Sequence, residues 1–268
     1  VGSLSIDSGC LANSRGTVLA AEGDLLLTAG EALNNNQCEL LANRDLRLAA
    51  ASLDNQQGRI SATGGEAQLK TDRLIDNDRG RIEASQQLTA QSQGVNNHGG
   101  TLLGDRIVVA TQQGDFINAS GNVVAQDTLS LSGGATDNHA GLIQSGHDLT
   151  IDTHGQKLIN SDSGKGGILS GGTLTLTSGE TDNRGGIIAA QAAGIASGAL
   201  MNTDGTVLAD RSLSLTTGAM DNQRGLLQAG EDLLLDTQGA ALDNRDSGER
   251  GGIVSRGDLN LATGRILG

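Results

Sequence analysis

A ten-residue phrase recurs along this chain at nearly even spacing, and no other feature of the sequence constrains the fold as strongly. It reads LDNQQGRISA from Leu53, IDNDRGRIEA from Ile75, TDNRGGIIAA from Thr181 and MDNQRGLLQA from Met220. Each phrase starts at the residue before an Asp/Asn pair. The twelve starts are Leu11, Leu33, Leu53, Ile75, Val95, Ile117, Thr136, Ile159, Thr181, Met201, Met220 and Leu242. Their mean separation of about 21 residues indicates a protein built from stacked, similar units.

Two further columns of residues follow each start. An aliphatic column contains Val18, Leu40, Ile60, Ile82, Leu102, Val123, Ile143, Ile168, Ile188, Val207, Leu227 and Ile253. Two positions later, a column of small residues contains Ala20, Ala42, Ala62, Ala84, Gly104, Ala125, Ser145, Ser170, Ala190, Ala209, Ala229 and Ser255. A glycine-containing turn then leads into alternating pairs such as Leu174/Leu176 and Leu213/Leu215. Alternation over such short runs, bounded by Gly and Asn, is typical of strands.

Each unit therefore has two or three short strands, which cannot bury an apolar face unless the units stack. The chain contains one phenylalanine and no tryptophan or tyrosine, so its core must be aliphatic. We predict an all-β fold, a right-handed parallel β-helix of about twelve coils of about 21 residues, since parallel crossovers are right-handed. We expect residues 1–268 to form a single β-helical repeat domain, excerpted from a much longer chain.

The Asp/Asn pair predicts a turn that occurs once in every coil. Asn tolerates the left-handed backbone conformation, and its amide can bond to neighbouring backbone. In a stack of coils the amides are also expected to form a hydrogen-bonded ladder. The predicted ladder residues are Asn13, Asn35, Asn55, Asn77, Asn97, Asn138, Asn183, Asn222 and Asn244. The other three coils carry Ala119, Ser161 and Thr203 at the same assigned position.

A longer repeat relates the stretch that begins at Asp137 to the stretch that begins at Asp221. Both copies contain extra residues, in Ser161–Gly167 and in Asn244–Gly252. Loops on a regular scaffold are favoured places for contacts, although an insertion copied by duplication is the simpler explanation. The candidate contact residues are Asp162, Ser163, Lys165, Asp246, Ser247, Glu249 and Arg250.

No catalytic, metal or cofactor site is predicted. The four histidines are His98, His139, His147 and His154. The last three align with Gln223, Glu231 and Gln238 in the later copy, and their spacing does not converge on one ion. A Gly-Gly-x-Gly-x-Asp calcium repeat, a phosphate-binding loop and a Ser/His/Asp set in a supporting context are all lacking. The chain is therefore predicted not to be an enzyme.

Charge and spacing disfavour several other readings. The net charge of −13 disfavours nucleic acid as a partner. The weakly charged run Gly185–Thr203 keeps the repeat phasing and is rich in small residues, so we expect a weakly packed coil and no membrane-embedded segment. Cys10 and Cys38 are separated by more than one repeat length and fall in different columns, which disfavours a disulfide. The tripeptide Arg256-Gly257-Asp258, found in integrin ligands, occupies an ordinary turn, where chance explains it.

Units such as LDNQQGRISATG from Leu53, TDNRGGIIAA from Thr181 and AMDNQRGLLQAGEDLLLDTQG from Ala219 resemble the haemagglutinin repeats of filamentous haemagglutinin and related two-partner secretion exoproteins of Gram-negative bacteria. That group includes the toxin-delivery proteins of contact-dependent growth inhibition. The resemblance covers nearly the whole chain. It implies a right-handed β-helical filament, exported through an outer-membrane two-partner secretion transporter and displayed on the outer cell surface. We recognise neither the amino-terminal secretion domain nor a toxin of that group, so the resemblance implies a shaft and transfers no catalytic residue.

Three functions are therefore compared. The favoured one is a structural filament segment that extends a distal binding or toxin domain in adhesion or contact-dependent inhibition. The alternative is a direct adhesin that binds a target-cell receptor or glycan through its protruding loops or a flat sheet face. The least favoured is a polysaccharide-degrading β-helix enzyme, because no cluster of Asp, Arg and Lys on one face supports it.

Overall fold

The computed structural model describes residues 2–13, 16–248 and 251–268. Throughout these ranges every regular element is a β-strand, and the chain divides into two compact units, Val1–Gly134 and Ala135–Gly268. The prediction of an all-β parallel solenoid with about twelve turns of about 21 residues is confirmed. The single domain remains a prediction.

The described part of the first unit contains seventeen strands. They are β1 (Leu4–Ser8), β2 (Leu11–Ala12), β3 (Thr17–Ala20), β4 (Leu25–Asn34), β5 (Glu39–Ala42), β6 (Leu46–Asp54), β7 (Arg59–Ala62), β8 (Ala67–Thr71), β9 (Leu74–Asp76), β10 (Arg81–Ala84), β11 (Gln87–Gln91), β12 (Gly94–Asn96), β13 (Thr101–Gly104), β14 (Arg106–Ala110), β15 (Phe116–Ile117), β16 (Asn122–Ala125) and β17 (Leu129–Ser132).

The second unit contains nineteen strands in its described residues. They are β18 (Thr136–Asp137), β19 (Leu142–Ser145), β20 (Leu149–Asp152), β21 (Lys157–Ile159), β22 (Gly167–Ser170), β23 (Thr173–Ser178), β24 (Glu180–Asp182), β25 (Ile187–Ala190), β26 (Ala192–Ser197), β27 (Leu200–Met201), β28 (Thr206–Ala209), β29 (Leu213–Thr217), β30 (Met220–Asp221), β31 (Leu226–Ala229), β32 (Leu233–Asp236), β33 (Ala241–Asp243), β34 (Gly252–Ser255), β35 (Leu259–Ala262) and β36 (Arg265–Leu267).

Within each unit the strands form two parallel sheets. A narrow sheet receives one strand from each coil: β3, β5, β7, β10, β13 and β16 in the first unit, and β19, β22, β25, β28, β31 and β34 in the second. The remaining strands form a wide sheet, to which most coils contribute two strands. In the first unit the long strands β4 and β6 each take the place of the two wide-sheet strands of their coil. Strand β6, for example, pairs with both β8 and β9 of the next coil.

The register of the narrow sheet stacks the predicted aliphatic column. Leu40 pairs with Ile60, and Ile60 with Ile82. In the second unit Ile188 pairs with Val207 in the same column. Neighbouring parallel strands lie about 4.8 Å apart, so each aliphatic side chain packs directly on the one in the next coil.

The core follows from the alternation of side chains along each strand. Along β8 the residues are alternately buried and exposed, so that Ala67, Leu69 and Thr71 point inward. The aliphatic residues of the narrow sheet and those of the wide sheet face each other and exclude solvent, with Ile60 and Leu69 both 0% exposed. The single phenylalanine, Phe116, is also completely buried.

A column of buried hydroxyls, which the sequence reasoning missed, lies where the chain bends between the two strands of the wide sheet. Ser92 Oγ donates to the Gly94 carbonyl at 2.8 Å, and Thr153 Oγ1 donates to the Gln156 carbonyl at 2.6 Å. A short polar side chain satisfies a backbone carbonyl that the bend removes from the sheet. The hydroxyls with such bonds are Thr71, Ser92, Thr111, Thr153, Ser197, Thr217 and Thr237.

Candidate functional site

Buried asparagines of successive coils in the first unit are joined by hydrogen bonds, in which the asparagine nearer the amino terminus donates. Asn35 Nδ2 lies 2.7 Å from Asn55 Oδ1, and the same distance separates Asn55 from Asn77. The series runs through Asn13, Asn35, Asn55, Asn77, Asn97 and Asn118. The last five of these are 0% exposed. The predicted ladder positions in this unit are thus brought together in one column.

The second unit contains a ladder of the same geometry. Asn183 Nδ2 donates to Asn202 Oδ1 at 2.7 Å, and Asn202 donates to Asn222 at 2.7 Å. The series runs through Asn138, Asn160, Asn183, Asn202, Asn222 and Asn244. All the bonds run in one direction, with the donor nearer the amino terminus.

Most ladder amides also close their own turn. Asn77 Nδ2 donates to the Gly80 carbonyl at 3.2 Å, and the Gly80 N–H donates to the Asn77 carbonyl at 2.9 Å. An Asp precedes the Asn in half of the coils, and its carboxylate accepts a backbone N–H, as when the Gln56 N–H donates to Asp54 Oδ1 at 3.0 Å. The buried amides therefore leave few polar atoms unsatisfied, which burial requires.

Three ladder residues were assigned wrongly from the sequence. Phe116 pairs with Val95, so Asn118 and not Ala119 occupies the ladder position. The same one-residue shift places Asn160 and Asn202 in the ladder in place of Ser161 and Thr203. In these coils the residue before the Asn is apolar but points outward, and Ile117 is 37% exposed. The recurring Asn-x-x-Gly spacing, present at Asn118–Gly121 and Asn202–Gly205, is the signal that identifies Asn118 and Asn202, whereas Asn160 is followed by Ser163 and lacks it.

The left-handed residue of the turn is not the asparagine. Asn tolerates this conformation, but the positive φ belongs to the residue two positions later, such as Gln57 at 54° and Asp204 at 56°. Among the described residues no asparagine has a positive φ. The asparagine side chain points into the ladder, and the chain reverses direction at a residue whose side chain faces outward.

The third residue after the ladder Asn is usually glycine for a steric reason. A Cβ on Gly58 would collide with the Asn35 carbonyl oxygen of the preceding coil and would lie 2.6 Å from Asn55 Oδ1. The packing of consecutive coils therefore favours glycine at this position, although Cys38 occupies it after Asn35.

The two predicted contact loops replace that glycine with serine. Ser163 is only 5% exposed, and its hydroxyl donates to the Asn160 carbonyl at 2.8 Å. Ser247 donates to the Asn244 carbonyl at 2.7 Å in the same way. Both serines therefore close a turn. The exposed candidate residues are Asp162, Lys165 and Asp246, while Glu249 and Arg250 lie outside the described residues.

Ion pairs link neighbouring coils around the outside of the turns. Arg224 binds Asp204 of the preceding coil with two nitrogen–oxygen distances of 2.7 Å. Arg184 binds Asp182 of its own turn at 2.6 Å, and Lys157 of the preceding coil lies 3.8 Å from the same carboxylate. The Arg184 hydrogen bond, which outweighs the effect of burial, holds the pKa of the Asp182 carboxyl below its usual value.

A second cluster lies on the outer face of the narrow sheet in the first unit. Glu83 accepts from Arg59 Nε at 3.0 Å and from Arg81 Nε at 2.6 Å. Burial alone would raise the pKa of the Glu83 carboxyl. The two arginines, with a smaller contribution from the nearby Ser61 hydroxyl, outweigh burial and lower it.

The histidines, the cysteines and the Arg-Gly-Asp tripeptide considered in the sequence analysis do not come together in one site. His98 Nδ1 lies 2.7 Å from Asp78 Oδ1, and no group of three potential metal ligands occurs in the described residues. Cys10 is exposed and Cys38 is buried, without a disulfide between them. Arg256-Gly257-Asp258 lies exposed in its turn, where the Asp258 N–H donates to Asp232 Oδ1 at 2.8 Å.

The run Gly185–Thr203 forms regular solenoid structure. Its strand β26 has six residues and pairs along its whole length with β23. Ala193 stands between Leu174 and Leu213 in the inward column, so this coil has a smaller side chain but an intact backbone ladder. In the ranges that the structure describes, no helix is long and apolar enough to cross a membrane.

These observations define a repeat protein in which each coil presents the same turn to the next. A family model for the haemagglutinin repeat matches residues 1–65, 63–118, 113–165, 158–203 and 191–266. The chain therefore belongs to the haemagglutinin repeat family. That family is structural and adhesive, not enzymatic, and membership implies a secreted surface exoprotein. No curated protein and no solved structure matches the chain.

Proposed function

We propose that this chain is a segment of the shaft of a filamentous exoprotein and that it sets the distance between the cell surface and a distal binding or toxin domain. The observation that supports this function is the repetition of one turn, with the same asparagine bond, from coil to coil in both units. A stack of such coils adds length in equal steps, because each repeat contacts only its neighbours.

The export partner belongs to the same proposal. We infer that the parent protein crosses the outer membrane of a Gram-negative bacterium through a two-partner secretion transporter. Family membership supports this route. Cys10 and Cys38 form no disulfide with each other, which supports it as well, since a chain without a crosslink between them can be threaded unfolded.

Deleting whole coils tests the spacer function. Removal of residues 137–220 joins Thr136 to Asp221 and keeps every column in phase, because Asp221 is the equivalent of Asp137 in the later copy. Four coils are lost, so the maximum dimension of the particle should fall by roughly 19 Å in small-angle X-ray scattering. A control deletion of residues 137–210 puts the columns out of register and should prevent folding. An unchanged dimension in a folded 137–220 deletion would refute the spacer function.

A direct adhesin is the second candidate, and one observation favours it. Asp162 and Asp246 are exposed at the same corner of two equivalent coils, both with a positive φ, near Gly164 and Gly248. The two loops therefore present the same short motif twice. A target-cell receptor or glycan that binds both copies of this motif at once would bind with higher overall affinity than one that binds a single copy.

A cell-binding assay separates the two functions. The fluorescently labelled chain is applied to bacterial and to epithelial cells beside a variant in which Asp162, Lys165 and Asp246 are changed to Ser. A matched control changes Asp78, Asp204 and Lys70, which lie outside the loops, to Ser. Saturable binding lost only in the loop variant would support an adhesin. Absence of binding by all three folded proteins would reject it and leave the spacer.

A further inference from the structure

The sequence contains one Asp-Gly bond, between Asp204 and Gly205, and no Asn-Gly bond. In an unfolded chain an Asp-Gly bond rearranges readily. The glycine nitrogen attacks the carboxyl carbon of the aspartic acid side chain, one water molecule leaves, and a five-membered succinimide ring forms. Water then opens the ring at either carbonyl group, which gives back aspartate or gives isoaspartate, in which the main chain runs through the side chain. Glycine favours this reaction because it has no Cβ to hinder the attacking nitrogen.

The stacking of the coils explains why the glycine is present. A Cβ on Gly205 would collide with the Asn183 carbonyl oxygen of the preceding coil and would lie 2.5 Å from Asn202 Oδ1. Asp204, the residue before it, has a φ of 56° and lies exposed at the outer corner of the turn. The asparagine ladder therefore places this labile bond at a corner that water reaches.

The folded chain holds both reacting groups in place. The Gly205 N–H donates to the Asn202 carbonyl at 2.9 Å. Arg224 of the next coil holds both oxygens of the Asp204 carboxylate at 2.7 Å. This hydrogen bonding is also the main reason that the pKa of the Asp204 carboxyl lies below its usual value, which makes the protonated form rarer. Ring closure must turn the Gly205 nitrogen towards the side chain and must release and protonate the carboxylate, so the bonds to Asn202 and to Arg224 have to break first.

Asp162 provides a comparison within the same unit, because it occupies the same position of the turn two coils earlier, with a φ of 51°. Its successor is Ser163, whose hydroxyl closes the turn and whose N–H makes no hydrogen bond with the described residues. In the described part of the chain the Asp162 carboxylate contacts no arginine, and His139 Nδ1 lies 3.9 Å from it. Serine hinders ring closure more than glycine does, but neither reacting group of this pair is locked.

We propose that folding reverses the order in which these two bonds rearrange. In the unfolded chain Asp204-Gly205 forms isoaspartate faster, because of its glycine. In the folded chain Asn202 and Arg224 lock this bond, and Asp162-Ser163 becomes the faster site. Isoaspartate adds one atom to the main chain, which at Asp204 would move the following strand β28 out of register with its neighbours. The lock therefore protects a coil of the stack, and the modification falls in an exposed loop instead.

The test compares the two sites within one sample. The intact chain is incubated for several weeks at physiological temperature and near-neutral pH, both folded in buffer and unfolded in concentrated guanidinium chloride. Trypsin releases the two sites in separate peptides, because Lys165 and Arg184 lie between them, and chromatography with electron-transfer fragmentation quantifies isoaspartate in each. In the unfolded chain rearrangement should be faster at Asp204 than at Asp162. Folding should slow it at Asp204 by at least about tenfold, since ring closure then requires local opening of the turn, and should leave Asp162 the faster site. A ratio of the two sites that is the same in folded and unfolded samples would overturn the proposal.

Two variants test the part that Arg224 plays in the lock. Arg224→Gln should raise the rate at Asp204 in the folded chain by a factor of about three, because an exposed ion pair contributes little free energy. Arg245→Gln removes a turn arginine of similar exposure that binds Asp243, so it should leave the rate at Asp204 unchanged. Equal effects of the two variants would reject the role of Arg224. Circular dichroism verifies that both variants fold, and the comparison of the folded with the unfolded unsubstituted chain needs neither of them. The result does not depend on the spacer function, because a shaft whose turns rearrange at any rate is still a shaft.

Discussion

Removing one ladder amide should destabilise the solenoid far more than removing its neighbour in the same turn. Asn35 and Asn36 are consecutive and chemically identical, but their surroundings differ. Asn35 is 0% exposed, donates to Asn55 Oδ1 at 2.7 Å and to the Cys38 carbonyl at 3.1 Å, and accepts from Asn13 at 2.9 Å. The Asn36 side chain points outward and makes no hydrogen bond with the described residues.

The expected magnitude follows from these three bonds. Each hydrogen bond contributes about 1 kcal/mol net, and the Asn55 oxygen and the Asn13 amide lose a partner inside the protein. Asn35→Ala should therefore lower the free energy of unfolding by about 3–4 kcal/mol. Asn36→Ala should change it by less than about 0.5 kcal/mol, as is usual for a surface position.

Urea unfolding monitored by circular dichroism is the assay, with hydrogen exchange as a local readout. Repeat proteins can unfold in parts, so amides of the coils around Asn35 should exchange faster in the Asn35→Ala variant while those of the second unit keep their protection. If the two variants differ by less than about 1 kcal/mol, the ladder does not stabilise the stack as argued.

Three further predictions follow. Gly58→Ala should destabilise the first unit by about 2 kcal/mol, since the new Cβ meets the Asn35 carbonyl; Gly9→Ala, where a Cβ meets nothing within 4 Å, should be nearly neutral, and equal melting temperatures would contradict this. Thr136→Val should stabilise by about 1 kcal/mol, because Thr136 Oγ1 is buried without a partner in the described residues. Thr181→Val should destabilise, because it removes the 2.7 Å bond to Ser178. If the two valine variants shift the denaturant midpoint in the same direction, both predictions are refuted. The pKa of Asp182 is lowered in the folded state, so its contribution to stability is present above the unfolded pKa of about 3.8 and is lost as pH falls through the lower folded value; Asp182→Asn should therefore flatten the stability profile below about pH 4, and an unchanged acid profile would reject this assignment.

Much of the fold could be predicted from the repeat because the requirements of a coil are local and recur. The aliphatic column from Val18 to Ile253 was identified correctly, since an inward position in a short strand must be apolar in every layer. The candidate loops were located by their extra residues. That Ser163 points inward could not be predicted, because an insertion changes which residue closes the turn.

The errors in the ladder have one cause. An apolar residue before Asn was taken as inward, but Ile117 lies outside and Phe116 inside. The two alternatives differ by a single residue, and alternation over a two-residue strand cannot decide between them. The pairing of Phe116 with Val95 decides it, because a neighbouring coil fixes the register.

The sequence by itself determined the repeat length, the strand type and the parallel stacking, since short aliphatic strands separated by Asn and Gly turns bury their apolar residues only against copies of themselves. Only the tertiary structure decided which side chains meet across coils. The ladder partner of Asn118, the collision that keeps Gly58 a glycine and the ion pair that holds Asp204 all depend on atoms of a neighbouring coil. Such contacts exist only when the coils stack in register, so no single repeat contains them.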